Sequence, residues 1–184
     1  MSRLLERKNA ALLVIDVQER INAVMDNQGH LPRIEVLVEA CRGLEVPVIA
    51  SEQYPQGLGA TVDSLAAALA DTPVTKLAFS CIRDEKSRWA VESCCRRQIV
   101  VTGVETHVCV LQTVLDLLAA GYQVHVPHDA VNSRRPADKE WALRRMETAG
   151  AVITSTESAL FELLERCDTA DFKTVAKLIK RIPV

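Results

Sequence analysis

Ala10-Ala11-Leu12-Leu13-Val14-Ile15-Asp16 is the stretch that decides the fold. Six apolar residues follow one another with no polar alternation and end on a carboxylate. A strand with one wet face alternates apolar and polar side chains. An unbroken apolar run belongs to a strand covered on both faces, as in a parallel sheet. Val46-Pro47-Val48-Ile49-Ala50 repeats the pattern after a helical stretch, Leu31 to Leu44, in which Ile34, Leu37, Val38 and Cys41 recur at helical spacing. Val74-Thr75 is a short third strand; Ile99 to Thr102, Gln123 to Pro127 and Ala151 to Thr154 complete the set.

Helical segments separate these runs: Glu85 to Cys95, Thr106 to Ala120, Ala137 to Ala149 and Ser158 to Arg166. Gly121 and Gly150 stand just past two of them, as helix C-caps commonly do. A last segment puts Phe172, Val175, Ala176, Ile179 and Ile182 on one face, a surface helix docked by an apolar stripe. Strand and helix alternating along the chain predict an α/β, doubly wound, Rossmann-like three-layer αβα fold with a mostly parallel six-stranded sheet. One domain over residues 1–184 is expected. The longest irregular stretch, Ser51 to Gly59, follows a strand, where loops usually help to form a site.

Composition narrows the function classes. The 184 residues are 48% hydrophobic and carry a formal net charge of −2, which argues against disorder and against a basic nucleic-acid surface. The N-terminal Met1-Ser2-Arg3-Leu4-Leu5-Glu6-Arg7-Lys8 is too charged for the apolar region of a signal peptide, and no run reaches the roughly 18 apolar residues of a membrane span. A cytoplasmic protein without nucleic-acid or membrane partners is the expectation. Its six cysteines contain no C-x-x-C and read as free thiols in a reducing compartment. Neither G-x-G-x-x-G nor G-x-x-x-x-G-K-[ST] occurs, so nucleotide binding is disfavoured.

In an open α/β sheet, ligands sit beyond the carboxyl ends of the strands. The first strand delivers Asp16, the short third strand Lys76. The fourth leads through Gly103-Val104-Glu105-Thr106-His107-Val108 to Cys109. Alone, Cys109 reads as a small core residue, Asp16 as a helix cap and Lys76 as a surface lysine. Together they place a base, a cation and a thiol at one sheet edge. A helix start beside Cys109 favours its thiolate, which Asp16 could generate by taking the proton. Cys81 ranks below Cys109, because it lies in a loop without a helix-start context. Trp89 and Trp141 fall in helical segments and read as packing or interface residues.

Asp16-Val17-Gln18 after an apolar strand, Lys76 with Phe79-Ser80, and Gly103 to Cys109 together resemble the isochorismatase-like cysteine hydrolase superfamily, over about Asn9 to Ile182. The loop Ser51 to Gly59 and the stretch Thr113 to Ser158 resemble the branch of isochorismatase domain-containing proteins. The resemblance implies Asp16 as base, Lys76 as electrostatic partner and Cys109 as nucleophile. It also implies a cis peptide between Val104 and Glu105 that turns the Glu105 N–H inward beside that of Cys109 as an oxyanion hole. Gln18, Gln53, Tyr54 and Phe79 are candidates for binding substrate. Nicotinamidases in the superfamily carry an Asp and two His after strand two as metal ligands. Here Ser51-Glu52-Gln53-Tyr54-Pro55 holds no histidine. No metal and no cofactor are expected. His30, His107, His125 and His128 form no ligand set and read as polar loop or surface residues. The resemblance thus implies metal-independent hydrolysis of a small amide or related acyl C–N substrate through a thioester at Cys109, in a homo-oligomer. The alternative is a catalytically silent scaffold or interaction protein.

Overall fold

The structure, a computed structural model, describes residues 4–25 and 27–182. Positions 1–3 of the charged N-terminal segment and 183–184 at the far end of the expected domain lie outside them. In chain order come β1 (Ala10–Ile15), α1 (Glu19–Asn22), α2 (His30–Gly43), β2 (Val48–Gln53), α3 (Pro55–Leu58), α4 (Asp63–Ala68), β3 (Val74–Lys76), α5 (Glu85–Ser93) and β4 (Gln98–Val104). A π-helical turn (Thr106–Val110) follows, then α6 (Leu111–Ala119), β5 (Gln123–Pro127), β6 (Val131–Asn132), α7 (Pro136–Thr148), β7 (Val152–Thr154), α8 (Thr156–Leu164) and α9 (Ala170–Ile179).

The strands form a seven-stranded sheet in the order β3-β2-β1-β4-β5-β7, with β6 paired to the end of β4. Its pairings among the described residues are parallel. β1 is central and fully buried. Its even-numbered Leu12 and Val14 pack with Ile34 and Leu37 of α2 and with Leu160 and Leu163 of α8. Its odd-numbered Leu13 and Ile15 pack on the other face with Val91 of α5 and with Val114 and Leu117 of α6. Period-two side chains facing two apolar layers are the physical reason the run shows no polar alternation.

The sheet has one strand more than the six expected. The extra element, Val131–Asn132, is two residues long and too short for a periodic signal. Residues 51–59 are more regular than expected: β2 runs on to Gln53, and Pro55 opens the one-turn α3. The helix expected over Thr106 to Ala120 is divided into the π turn and α6. That expected from Ser158 begins at Thr156, where the Ser155 side chain caps it by accepting from Ser158 N–H. Trp89 and Trp141 are exposed rather than packed, Trp141 lying under the Arg144 guanidinium. His30 and His125 are buried, contrary to the surface reading: both lie on elements whose neighbouring residues are apolar core.

The close approach of β1 and β4 decides the centre of the sheet. Gly103 lies opposite Ile15 with φ of +114°, and a Cβ there would sit 2.0 Å from the Ile15 carbonyl oxygen. Only glycine accepts both the dihedral and the contact.

Candidate active site

Asp16 is the first residue past β1 and turns the chain with φ of +54°. Its N–H still donates to the Ser51 carbonyl of β2, at 3.0 Å, so its side chain is fixed relative to the neighbouring strand end. The register Gln53↔Lys76 places Lys76 at the end of the edge strand β3. From there its ammonium reaches across β2 to Asp16. Lys76 Nζ donates to Asp16 Oδ2 at 2.7 Å, to Gln53 Oε1 at 2.8 Å, to the Phe79 carbonyl at 3.0 Å and to the Ala78 carbonyl at 3.3 Å. Asp16 Oδ1 accepts from Ser51 Oγ at 2.8 Å.

Burial by itself pushes the Lys76 ammonium toward losing its proton. Asp16 beside it, with smaller contributions from Cys109 and Cys81, more than offsets that, and the group stays charged above the ordinary lysine range.

Cys109 reaches the same place from the π turn after β4. Its thiol is buried and lies in the fields of both Asp16 and Lys76. The helix-start expectation of a lowered pKa is overturned here. Burial pushes the thiol well above the ordinary cysteine range, the Asp16 carboxylate pushes it further, and the opposing pull of Lys76 is smaller. Cys109 therefore rests as a neutral S–H beside a carboxylate able to take its proton. The π turn gives Val110 N–H a bond to the Glu105 carbonyl at 3.3 Å, and the Val104–Glu105 peptide is cis.

The remaining sequence candidates divide. Gln18 is buried, and its amide is committed to the backbone: Nε2 donates to the Gln53 and Gly59 carbonyls and Oε1 accepts Gln53 N–H. Gln53 accepts from Lys76 and donates through Nε2 to the Leu77 carbonyl at 2.9 Å. Both glutamines thus frame the charged pair instead of presenting free amides to a ligand. Phe79 and Tyr54 are half-exposed beside them, and the Tyr54 ring packs over Gly57. The Glu105 side chain turns away to accept from Arg134 N–H at 3.1 Å and Nε at 3.0 Å.

Two neighbours of the charged pair stand outside the sequence candidates: Ser51, and Cys81, which the sequence ranks below Cys109. Cys81 Sγ donates to Ser51 Oγ at 3.6 Å, and its backbone N–H donates to Thr113 Oγ1 of α6 at 3.0 Å. Ser51 was within reach, because a residue at a neighbouring parallel strand end must lie beside Asp16. Cys81 lies in the loop after β3, where no strand register fixes its place.

A thiol, a carboxylate and an ammonium collected beyond the strand ends of a parallel sheet define an α/β protein with a cysteine-centred site. The chain belongs to the isochorismatase family, whose Isochorismatase domain matches residues 10–158. It is 39% identical to the secreted isochorismatase effector Isc1 of Phytophthora sojae over 181 residues, covering 94% of this chain and 85% of that protein. It is 37% identical to isochorismatase domain-containing protein 1 of Danio rerio over 166 residues, 90% of this chain and 59% of the fish protein. The solved structure of the MAR1 ribonuclease from Caenorhabditis elegans superposes with a TM-score of 0.89 at 38% identity, covering 96% of this chain and 92% of that one.

Proposed function

We propose that this chain is a metal-independent cysteine hydrolase acting on a small amide or related acyl C–N substrate. The observation that carries the reading is the Asp16 carboxylate paired with the buried Lys76 ammonium at 2.7 Å, with the neutral Cys109 thiol in the field of both. Cys109 S–H gives its proton to Asp16 as sulfur attacks the carbonyl carbon, and the C=O electron pair becomes an oxyanion. The N–H groups of Glu105 and Cys109 receive that oxyanion, an interaction on the order of 3 kcal/mol per donor where such donors have been removed. The C–N bond then breaks, and the leaving nitrogen takes the proton from Asp16. Water attacks the thioester, its proton passes to Asp16, and the collapsing intermediate returns a proton to sulfur as the acid leaves. Lys76 stays paired with Asp16 between transfers. Phe79 and Tyr54 line the approach. Ser51 and Gln53, at the end of β2, bond to Asp16 and Lys76, and the cycle calls on no metal.

Two further readings accompany it. Leu77, Phe79 and Trp89 expose apolar surface on α5 and the segment before it, which suits a homo-oligomer. All six cysteines are free, which suits a reducing, cytoplasmic setting, and among the described residues no helix is long and apolar enough to cross a membrane.

Turnover of a panel of small amides, with intact-protein mass spectrometry, tests the reading. The expected result is an acyl adduct on Cys109 and turnover reduced at least about a thousandfold in Cys109→Ala, in line with losses of other catalytic nucleophiles. Turnover that survives Cys109→Ala sinks the proposal.

A further inference from the structure

Asp16 has two carboxylate oxygens, and both are occupied before any substrate arrives. Lys76 holds Oδ2 at 2.7 Å and Ser51 holds Oδ1 at 2.8 Å. Ser51 is itself buried, so its hydroxyl is withdrawn from bulk water. Its oxygen receives the Cys81 thiol at 3.6 Å. Cys81 is fully buried and fixed from the other side by Thr113, on the helix that continues from the Cys109 turn. A hydroxyl that accepts from one neighbour directs its single proton at the other. The chain of donors therefore runs one way, from Cys81 S–H through Ser51 O–H to Asp16 Oδ1.

We propose that Ser51 and Cys81 are positioning residues that fix the orientation and proton affinity of Asp16, so that the carboxylate is poised for the Cys109 proton. The inference rests on the reading of Asp16 as base. It assigns no chemistry to Cys81, although that thiol stands beside the same charges. Burial raises Cys81 to about 11, with Lys76 drawing it down and Asp16 pushing it up, so it stays protonated and serves as a donor. The titratable groups facing Asp16 are Lys76 from β3, Cys109 from the π turn and Cys81 from the loop after β3. Ser51 comes from β2 and carries no charge, so it can adjust Asp16 without adding a titration of its own.

The test is the rate of Cys109 alkylation by iodoacetamide across the acid range, read by peptide mass spectrometry, with each variant's folding checked by its melting curve. A carboxylate that loses a donated hydrogen bond takes a proton more readily, so the acid limb moves up by about one pH unit in Ser51→Ala. The midpoint of the limb, not the plateau rate, is the readout. Ser51→Thr, which keeps the hydroxyl, restores the limb. Cys81→Ala moves it in the same direction by less, and Cys81→Ser leaves it in place. A Ser51→Ala profile that superimposes on the parent overturns the relay, as does a uniform loss of rate with no shift. Asp16→Asn separates the two readings. If it abolishes the acid limb while Ser51→Ala does nothing, the relay alone fails. If it leaves the limb intact, the base assignment fails and the relay with it.

Discussion

Lys76 Nζ and Asp16 Oδ2 lie 2.7 Å apart with side-chain exposures of 0% and 3%. Two opposite charges this deep hold each other in place, and each needs the other. Removing one partner from a buried pair leaves an uncompensated charge, at a cost of roughly 3–5 kcal/mol. Lys76→Met is therefore expected to lower stability by that order in urea unfolding. Lys76→Met combined with Asp16→Leu is expected to recover part of the loss, because no lone charge remains. A single variant as stable as the parent would show that the pair is not buried in solution.

Gly103 makes a second, sharper demand. The added methyl of Gly103→Ala meets backbone rather than a flexible side chain, at 2.0 Å from Ile15 O and 2.7 Å from Ile15 N. It must push β1 from β4 directly beneath Asp16. The expected loss exceeds about 4 kcal/mol, the size reserved for such clashes. Thermal unfolding and the soluble yield both report it, and a melting curve near the parent's contradicts the β1–β4 approach.

Trp89 lies at the opposite extreme. It is 69% exposed on α5, so Trp89→Gln is expected to change monomer stability by no more than about 0.5 kcal/mol. If a second copy covers its exposed ring, the same change lowers the assembly size seen in sedimentation velocity. A parent that sediments as a monomer removes the oligomer reading.

What the sequence revealed follows from which interactions leave a local trace. The run Ala10–Ile15 announced a strand because both its faces meet apolar layers, and Asp16 and Lys76 were legible as strand-end residues. Val131–Asn132 was not legible, since two residues cannot show a period. The framing roles of Gln18 and Gln53 were also hidden: Lys76 meets Gln53 only through the register of β2 and β3, and Gly59 reaches Gln18 only once the segment after β2 folds back over the end of β1. The direction of the Cys109 shift was misread for a related reason. A helix start can be seen in a sequence, but burial and the facing Asp16 arise only in the folded chain, and they outweigh it.

His30 supplies a pH dependence with a definite sign. Burial, and then the nearby Lys139 charge, lower it from 6.5 to about 4. Its ring bonds Asn22 Oδ1 at 2.8 Å and Asn132 Nδ2 at 3.2 Å, so the neutral form is built into the network. Between those two pH values the unfolded chain binds a proton that the native ring refuses. Stability is therefore complete above pH 6.5 and declines as the pH falls toward about 4, by about 3 kcal/mol in all. His125 adds to the same decline, since burial lowers it too, with Glu162 opposing. Neither of its ring nitrogens finds a partner among the described residues. His125→Leu should accordingly raise stability by about 1 kcal/mol at neutral pH, by removing two unsatisfied buried nitrogens. It should gain more on acidification, whereas His30→Gln should flatten the acid decline without that neutral gain. Urea unfolding followed from pH 7 to pH 4 distinguishes the two. A parent as stable at the acid end as at neutrality would mean that both buried histidines protonate freely in the native state.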